Sequence, residues 1–469
     1  MGLAITLLLA FAMATMAFVA RDGVIYVILA LFTFFAEQGG GFTSYSGSFL
    51  FNQNFVKFGH LRAIEFIVLA IWASLLISRK RVRISGLGFE GKLLAASILW
   101  LLGLLFLEYF LHGAVTISDW RLIVSGVMLF HILAMLIDSE QKLVTVVTVF
   151  VILLAIRAAL GLAVYLAGHG VMSPRGRVPF FWDSEQVSAF GFGAVLLAAY
   201  LSNYRLLRRE DRRLAPFWAM VMFGVLSLTV LLSIRRSLWI ETLGGIGLVL
   251  LAAKRVRLPH YLGLSFAVVI GMVLVLSLPG LGHFREKYGQ YIESVDLFNH
   301  RVASSYENKV HINNVQQYTK MILDNPSVLL LGFRGYPGRN YDRLPKLYSN
   351  KMPLGVAHNA ILRTIYFFGI GGLFIFLAFY WHLFMLRSRI RRTLDDRFAK
   401  AAAIAGLSYL FMQFVIALTL VPPFYTSSKG LFYTFLAAVI VRAGTPYAFT
   451  NPRPAKGRAI ATARRRNSV

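Results

Sequence analysis

The segments Leu93–Leu111, Leu143–Ala167, Ala215–Leu232 and His260–Leu278 are apolar almost from end to end. Each approaches or exceeds the ~20 residues a helix needs to cross a ~30 Å hydrocarbon core. In that solvent every backbone amide and carbonyl must find a partner inside the protein, so a chain with several such runs is directed to a bundle of membrane helices. The composition agrees. Hydrophobic residues make up 57% of the chain and the mean hydropathy is +0.65, against roughly 45–50% apolar residues in an ordinary soluble protein. The apolar start, Gly2–Ala20, is read as part of the bundle and not as a secretion signal, because further spans follow it. Cysteine is absent, which excludes a disulfide framework and thiolate metal ligation.

A formal charge of +27 raises the question of nucleic acid, and its distribution answers it. Lys and Arg gather in short clusters between apolar runs: "RKRVR" at Arg79–Arg83, "RLLRREDRR" at Arg205–Arg213, "KRVR" at Lys254–Arg257, "RSRIRR" at Arg387–Arg392, and the tail from Arg442 to Arg466. This is the positive-inside pattern. A nucleic-acid footprint would be a basic patch within a recognisable soluble module, and none is present.

Placing every basic cluster in the cytoplasm predicts spans near 62–78, 93–111, 120–137, 143–167, 186–202, 215–232, 238–253, 259–278, 358–386, 401–421 and 431–443. Ahead of them, Gly2–Ala20 and Val24–Ala36 form either two short spans or one bent span. The expected fold is therefore all-α: a polytopic integral membrane protein with about 12, or else 13, transmembrane helices. Its parts are N-terminal transmembrane helices over 1–278, one large outside loop over 279–357, C-terminal transmembrane helices over 358–443 and a basic cytoplasmic tail over 444–469.

That loop is too long for a connector. Asn308–Leu323 has apolar residues at roughly helical spacing and reads as an amphipathic helix on the membrane face. The following "DNPSVLLLGFRGYPG" ends in turn chemistry. Where the chain re-enters the membrane it reads "AHNAILRTIYFFGIGG". Counted at 100° per residue, His358, Leu362, Ile365, Gly369 and Gly372 share one stripe, so the lower turns of that face lack bulk. Either a neighbouring helix packs there or a lipid tail does.

The run His358-Asn359, nine residues, then Gly369-Ile-Gly-Gly372 resembles the signature of bacterial O-antigen ligases, within the superfamily that also holds O-antigen polymerases and protein O-oligosaccharyltransferases. "SIRRSLW" at Ser233–Trp239, "GRVPFFWDSEQVSAF" at Gly176–Phe190 and "DNPSVLLLGFRGYPG" resemble further elements of that group. The resemblance implies a GT-C-type glycosyltransferase of the inner membrane of a Gram-negative bacterium. Its active site would face the periplasm, with the long loop there. Its partners would be an undecaprenyl-pyrophosphate-linked O-antigen donor, the lipid A core as acceptor, and membrane lipids.

Such chemistry needs charge on the departing pyrophosphate neutralised and an acceptor hydroxyl positioned. Arg suits the first task, because its planar fork grips phosphate oxygens and stays charged. Candidates on the outside face are Arg175, Arg177, Arg235, Arg236 and Arg334, each of which has the alternative role of an interfacial anchor. His358, beside Asn359, is the candidate general base, the alternative being a helix cap. His300 and His311 are secondary candidates. Glu65, Glu108, Arg157, Glu185 and Glu241 fall in the outer half of predicted spans, where charge marks either a site or internal ion pairs. No Asp-x-Asp or His-x-x-x-His motif faces outside, so neither metal nor other cofactor is expected. A polymerase or a protein oligosaccharyltransferase of the same superfamily shares this donor chemistry. A transporter should show repeated halves with broken helices, and the sequence has no such repeat.

Overall fold

The structure, a computed structural model, describes residues 2–35, 63–78, 88–112, 120–167, 171–173, 176–178, 184–204, 212, 214–233, 236–252, 316, 319–320, 322–324, 326–332, 360–394, 396–417 and 427–444. The expected span 259–278, nearly all of the loop 279–357 and the tail after residue 444 lie outside the described residues.

Two helices open the chain, α1 (Gly2–Val19) and α2 (Arg21–Phe35), parted at Ala20. Next come α3 (Ala63–Ile77), α4 (Gly88–His112), α5 (Trp120–Leu136) and α6 (Glu140–Leu166). A small antiparallel hairpin follows, β1 (Val171–Ser173) with β2 (Gly176–Val178), in which Met172 pairs with Arg177. Apart from this hairpin the described elements are all helical, so the expected all-α class stands. The chain continues through α7 (Ser184–Asn203), α8 (Pro216–Leu232), α9 (Arg236–Ala252), the short α10 (Pro326–Leu331), α11 (Ala360–Thr393), α12 (Arg397–Ala417) and α13 (Ser427–Gly444).

Within the described residues, every segment expected to span is helical. Three runs, Glu140–Leu166, Thr364–Ile390 and Arg397–Ile416, are long and apolar enough to cross a membrane, and the remaining apolar helices are shorter. Among the described residues, many large apolar side chains face outward. Leu8, Phe11, Leu99, Leu102, Phe106, Phe110, Phe217 and Trp218 are all exposed. Leaving eight such side chains in water would forgo on the order of 10–20 kcal/mol, which exceeds or matches the 5–15 kcal/mol net stability of an ordinary domain. These helices suit a membrane-embedded protein.

Helix α7 is the centre of the bundle, packed by α6, α8, α9, α12 and α13, and its side chains from Ser188 to Tyr200 are buried. Glycines let its neighbours approach. A Cβ at Gly193 would stand 2.9 Å from Leu226 of α8, and one at Gly191 would stand 2.9 Å from the hydroxyl of Tyr409 on α12, the close small-residue packing of membrane helices. Helix α13 is buried from Thr434 to Gly444 against α5, α11 and α12.

One end of the bundle, called lower here, is tied by short-range polar contacts. Arg442 Nε at the end of α13 donates to the carbonyl of Ile137 after α5, at 2.6 Å. The Asp396 carboxylate caps α12 by accepting from the amides of Phe398 and Ala399, and its own amide donates to Glu140 Oε1 at 2.6 Å. Tyr200 Oη donates to the Leu214 carbonyl at 2.6 Å and accepts from its amide at 3.1 Å, closing the α7–α8 connection. At the opposite, upper end, Trp239 Nε1 in the first turn of α9 donates to the Val230 carbonyl in the last turn of α8 at 3.0 Å.

Candidate functional site

Buried polar side chains concentrate toward the upper end. Following the alternating direction of the helices, Thr6, Thr33, Glu65, Glu108, Arg157, Ser188, Thr229, Glu241, Thr242, Thr364 and Gln413 all lie within about three turns of it. Glu108 and Arg157 are 0% exposed and Glu241 is 1% exposed. A charged residue at the centre of a membrane helix costs ~2.5–3.5 kcal/mol on insertion scales, and well-packed apolar residues would hold such a bundle at least as well. None of Glu65, Glu108, Arg157 and Glu241 is without an interaction partner. For Glu241 one is Tyr409 Oη on α12, which donates to Oε2 at 3.0 Å. Toward the lower end the buried polar groups have plain structural partners: His131 Nδ1 accepts from Trp72 Nε1 at 3.0 Å, and Arg442 holds Ile137.

The start of α11 is built around a break. Gly369 has φ 65° and ψ −174°, and the chain bends there between two helical pieces. That backbone region belongs almost wholly to glycine. The expected stripe from His358 to Gly372 therefore fails at Gly369: Gly372 does not continue the face of Leu362 and Ile365, because the 100° count restarts at the bend. What approaches the glycines is a pair of neighbouring helices, the first of the two expected alternatives. A Cβ at Gly369 would collide with the backbone of Leu330 and Leu331 in α10, and one at Gly371 would collide with the indole of Trp100 on α4.

Helix α10 forms for readable reasons. Pro326 opens it with a preset φ, and Gly332, at φ 73°, ends it by donating its amide to the Val328 carbonyl at 2.9 Å, the left-handed glycine stop. The turn chemistry expected at the end of "DNPSVLLLGFRGYPG" lies beyond Gly332, outside the described residues. Gly332 in turn lies against Phe367 and Phe368, where an added Cβ would stand 2.8–2.9 Å from their backbone atoms. A break in a helix leaves carbonyls without amide partners, and Trp100 Nε1 supplies one by donating to the Phe368 carbonyl at 2.9 Å. Leu101, Leu104 and Phe368 are buried together beside it, with Leu331 packed on them.

The sequence-derived candidates fall as follows. His358 and Asn359 precede the first described residue of α11, and with Arg175, Arg235, Arg334, His300 and His311 they lie outside the described residues. Arg236 is the first residue of α9, in the tight α8–α9 junction. Arg177 is on β2, in the connection between α6 and α7 that reaches the same end. Glu65, Glu108, Arg157 and Glu241 are in the buried polar layer, while Glu185 is in the first turn of α7. Sequence reasoning passed over Tyr409, Thr242, Gln413, Ser188, Thr364 and Trp100. For Thr242, Gln413, Ser188 and Thr364 the signal was a polar side chain within an apolar run; Tyr409 and Trp100 carry rings that read as core. Among the described residues, no group of three or more carboxylate or imidazole side chains is placed to hold a metal ion.

Fold and site together define a bundle of apolar helices with a charged, hydroxyl-bearing interior at one end. No protein-family model matches the chain, and no curated protein is significantly similar to it.

Proposed function

We propose that this chain is a GT-C-type glycosyltransferase, an O-antigen ligase with 12 or 13 spans whose upper end faces the periplasm of a Gram-negative cell. In this reading it moves O-antigen polysaccharide from undecaprenyl pyrophosphate to a sugar hydroxyl of the lipid A core. The observation that carries it is a convergence at one end of the bundle: α9 opens on Arg236, α11 opens directly after His358-Asn359, the hairpin holds Arg177, and the buried polar layer lies beneath.

The donor is already activated, so the residues have two tasks. The acceptor oxygen forms a bond to the anomeric carbon as the carbon–oxygen bond to pyrophosphate breaks, and the bonding pair leaves with undecaprenyl pyrophosphate. Arg236 and its neighbours hold that charge, helped by the free amides and positive dipole end of α9. His358 takes the acceptor proton. Asn359 aligns the acceptor, and the clamp of α10 and Trp100 on the bend of α11 fixes the turn that follows them.

A strain lacking the gene should carry lipid A core bare of O-chains and accumulate polymer on undecaprenyl pyrophosphate. Single repeat units on the core would indicate the polymerase instead, and an unchanged lipopolysaccharide profile would end both readings. Orientation has its own test. Cysteines at Ser305 or Ser349 should react with a membrane-impermeant thiol reagent in intact spheroplasts, and one at Ser388, exposed near the lower end of α11, should not. Labelling at Ser388 with protection at Ser305 would invert the topology and remove the site from the periplasm.

The arginines are separable from lipid anchors by substitution. Arg236→Ala or Arg235→Ala should lose about 1.5–3 kcal/mol of donor or transition-state binding for each charge-assisted hydrogen bond removed, roughly a 10- to 150-fold fall in kcat/KM. Lys should rescue only partly, since it lacks the bidentate fork. Full activity in both Lys variants would leave anchoring as the explanation.

A further inference from the structure

A threonine inside a helix can satisfy its hydroxyl on the carbonyl one turn back. Thr229 of α8, 1% exposed, does so, its Oγ1 donating to the Val225 carbonyl at 2.8 Å. Thr242 of α9 does not. It is 4% exposed, and its Oγ1 has no hydrogen-bond partner among the described residues. The hydroxyl lies instead against α7, where a Cβ added at Gly191 would stand 2.5 Å from Thr242 Oγ1 and 2.9 Å from Tyr409 Oη of α12. Two oxygens so near one point are at most 5.4 Å apart, the sum of those two distances. Tyr409 donates its only hydroxyl proton to Glu241 Oε2 at 3.0 Å, so toward a further partner Oη can only accept. The three helices α7, α9 and α12 all pack on one another here.

We propose that Thr242 Oγ1 and Tyr409 Oη hold one ordered water between them, beside Gly191, where α7, α9 and α12 meet. Two O–H···O bonds of ~2.7–2.8 Å can span up to ~5.6 Å, so a single water reaches both oxygens. It accepts from the Thr242 hydroxyl and donates to Tyr409 Oη, which gives it the two partners a buried water needs. Thr242 then escapes the cost of a buried hydroxyl left unbonded. Gly191 is what admits the arrangement, since an alanine methyl would press on both hydroxyls at once. Thr242 lies six residues after Arg236, the first residue of α9, or ~9 Å along the axis. The water therefore ties α9 to α12 within two turns of the α8–α9 junction, whatever reaction the protein catalyses.

Full-length protein in lipid nanodiscs tests this by thermal melting of Thr242→Val, Thr242→Ser, Tyr409→Phe and the Thr242→Val/Tyr409→Phe double variant, beside a density map fine enough to show ordered water. Valine keeps the shape of threonine and removes the hydroxyl, so Thr242→Val should melt about 2–4 °C below wild type, while Thr242→Ser should stay closer to it. In the Tyr409→Phe background the valine step should shrink to less than half, because the bridge is already broken. Replacing sodium chloride by choline chloride at equal ionic strength should leave wild-type melting unchanged, and the map should show a peak within hydrogen-bond distance of both oxygens. Thr242→Val melting at or above wild type would mean that the hydroxyl holds nothing, and an equal valine step in both backgrounds would mean that the two hydroxyls share no ligand. Either result overturns the proposal. So does a sodium-specific gain in melting temperature, which would put a cation in place of the water, or a map in which Thr242 Oγ1 bonds directly to protein atoms.

Discussion

Replacing His358 by Ala is expected to cut glycan transfer by the ~10²–10⁴-fold typical of losing a general base, with donor binding and folding nearly intact. The reason lies in what imidazole does that its substitutes cannot. It accepts a proton near neutral pH, and a sugar hydroxyl must shed one as it attacks. Gln reproduces the ring's hydrogen bond without taking the proton, so it should fail too. Two rival roles predict other patterns. A ring that only caps the start of α11 would be replaced adequately by Asn or Ser. A ring that bonds pyrophosphate would show weakened donor affinity on change to Ala and useful activity with Gln. Turnover of a purified lipid-linked donor onto lipid A core, measured beside donor affinity for His358→Ala, →Gln and →Asn, separates the three. Near-normal turnover with Gln or Asn would end the general-base role.

The helices of this protein were legible because a membrane allows few solutions. Apolar runs bounded by basic clusters put α3 through α9 and α11 through α13 within a few residues of where they fold. The layer of Glu65, Glu108, Arg157 and Glu241 was legible for the same reason, since charge inside such a run has nowhere to go but the interior. The bend at Gly369 was not. A run of Gly, Ile, Gly, Gly states that bulk is missing, and it does not state whether the backbone stays helical through the gap. That was decided by α10, which brings a backbone to the spot, and by Trp100, whose bond to Phe368 spans 268 residues of sequence. Tyr409 was missed likewise: its apolar ring passes as core until the packing of α12 on α9 shows its hydroxyl on Glu241.

Gly369→Ala is expected to be the most damaging conservative substitution among the described residues, because two independent costs coincide there. An alanine held at φ 65° and ψ −174° carries about 1–3 kcal/mol of backbone strain. Its methyl would also collide with the carbonyl of Leu330, and a backbone cannot swing aside as a side-chain tip can; overpacking of this kind costs about 1–3 kcal/mol more. Together they would remove roughly 2–6 kcal/mol. The bundle can escape only by pushing α10 off α11 or by straightening the bend, which strands the Trp100 N–H. Gly332→Ala should follow in severity, since φ 73° is an ordinary left-handed position and its contacts at 2.8–2.9 Å are looser. Gly103 on α4 gives the control: nothing lies within 4 Å of its added Cβ, so alanine there should be neutral or stabilise the helix by up to about 1 kcal/mol. Thermal melting of the three purified variants should therefore rank Gly103→Ala at or above wild type, Gly332→Ala below it and Gly369→Ala lowest. Transfer should fall in the same order, because the turn that follows His358 and Asn359 is held by the same clamp. A Gly369→Ala protein that melts and transfers like wild type would mean that α11 has no need of its bend.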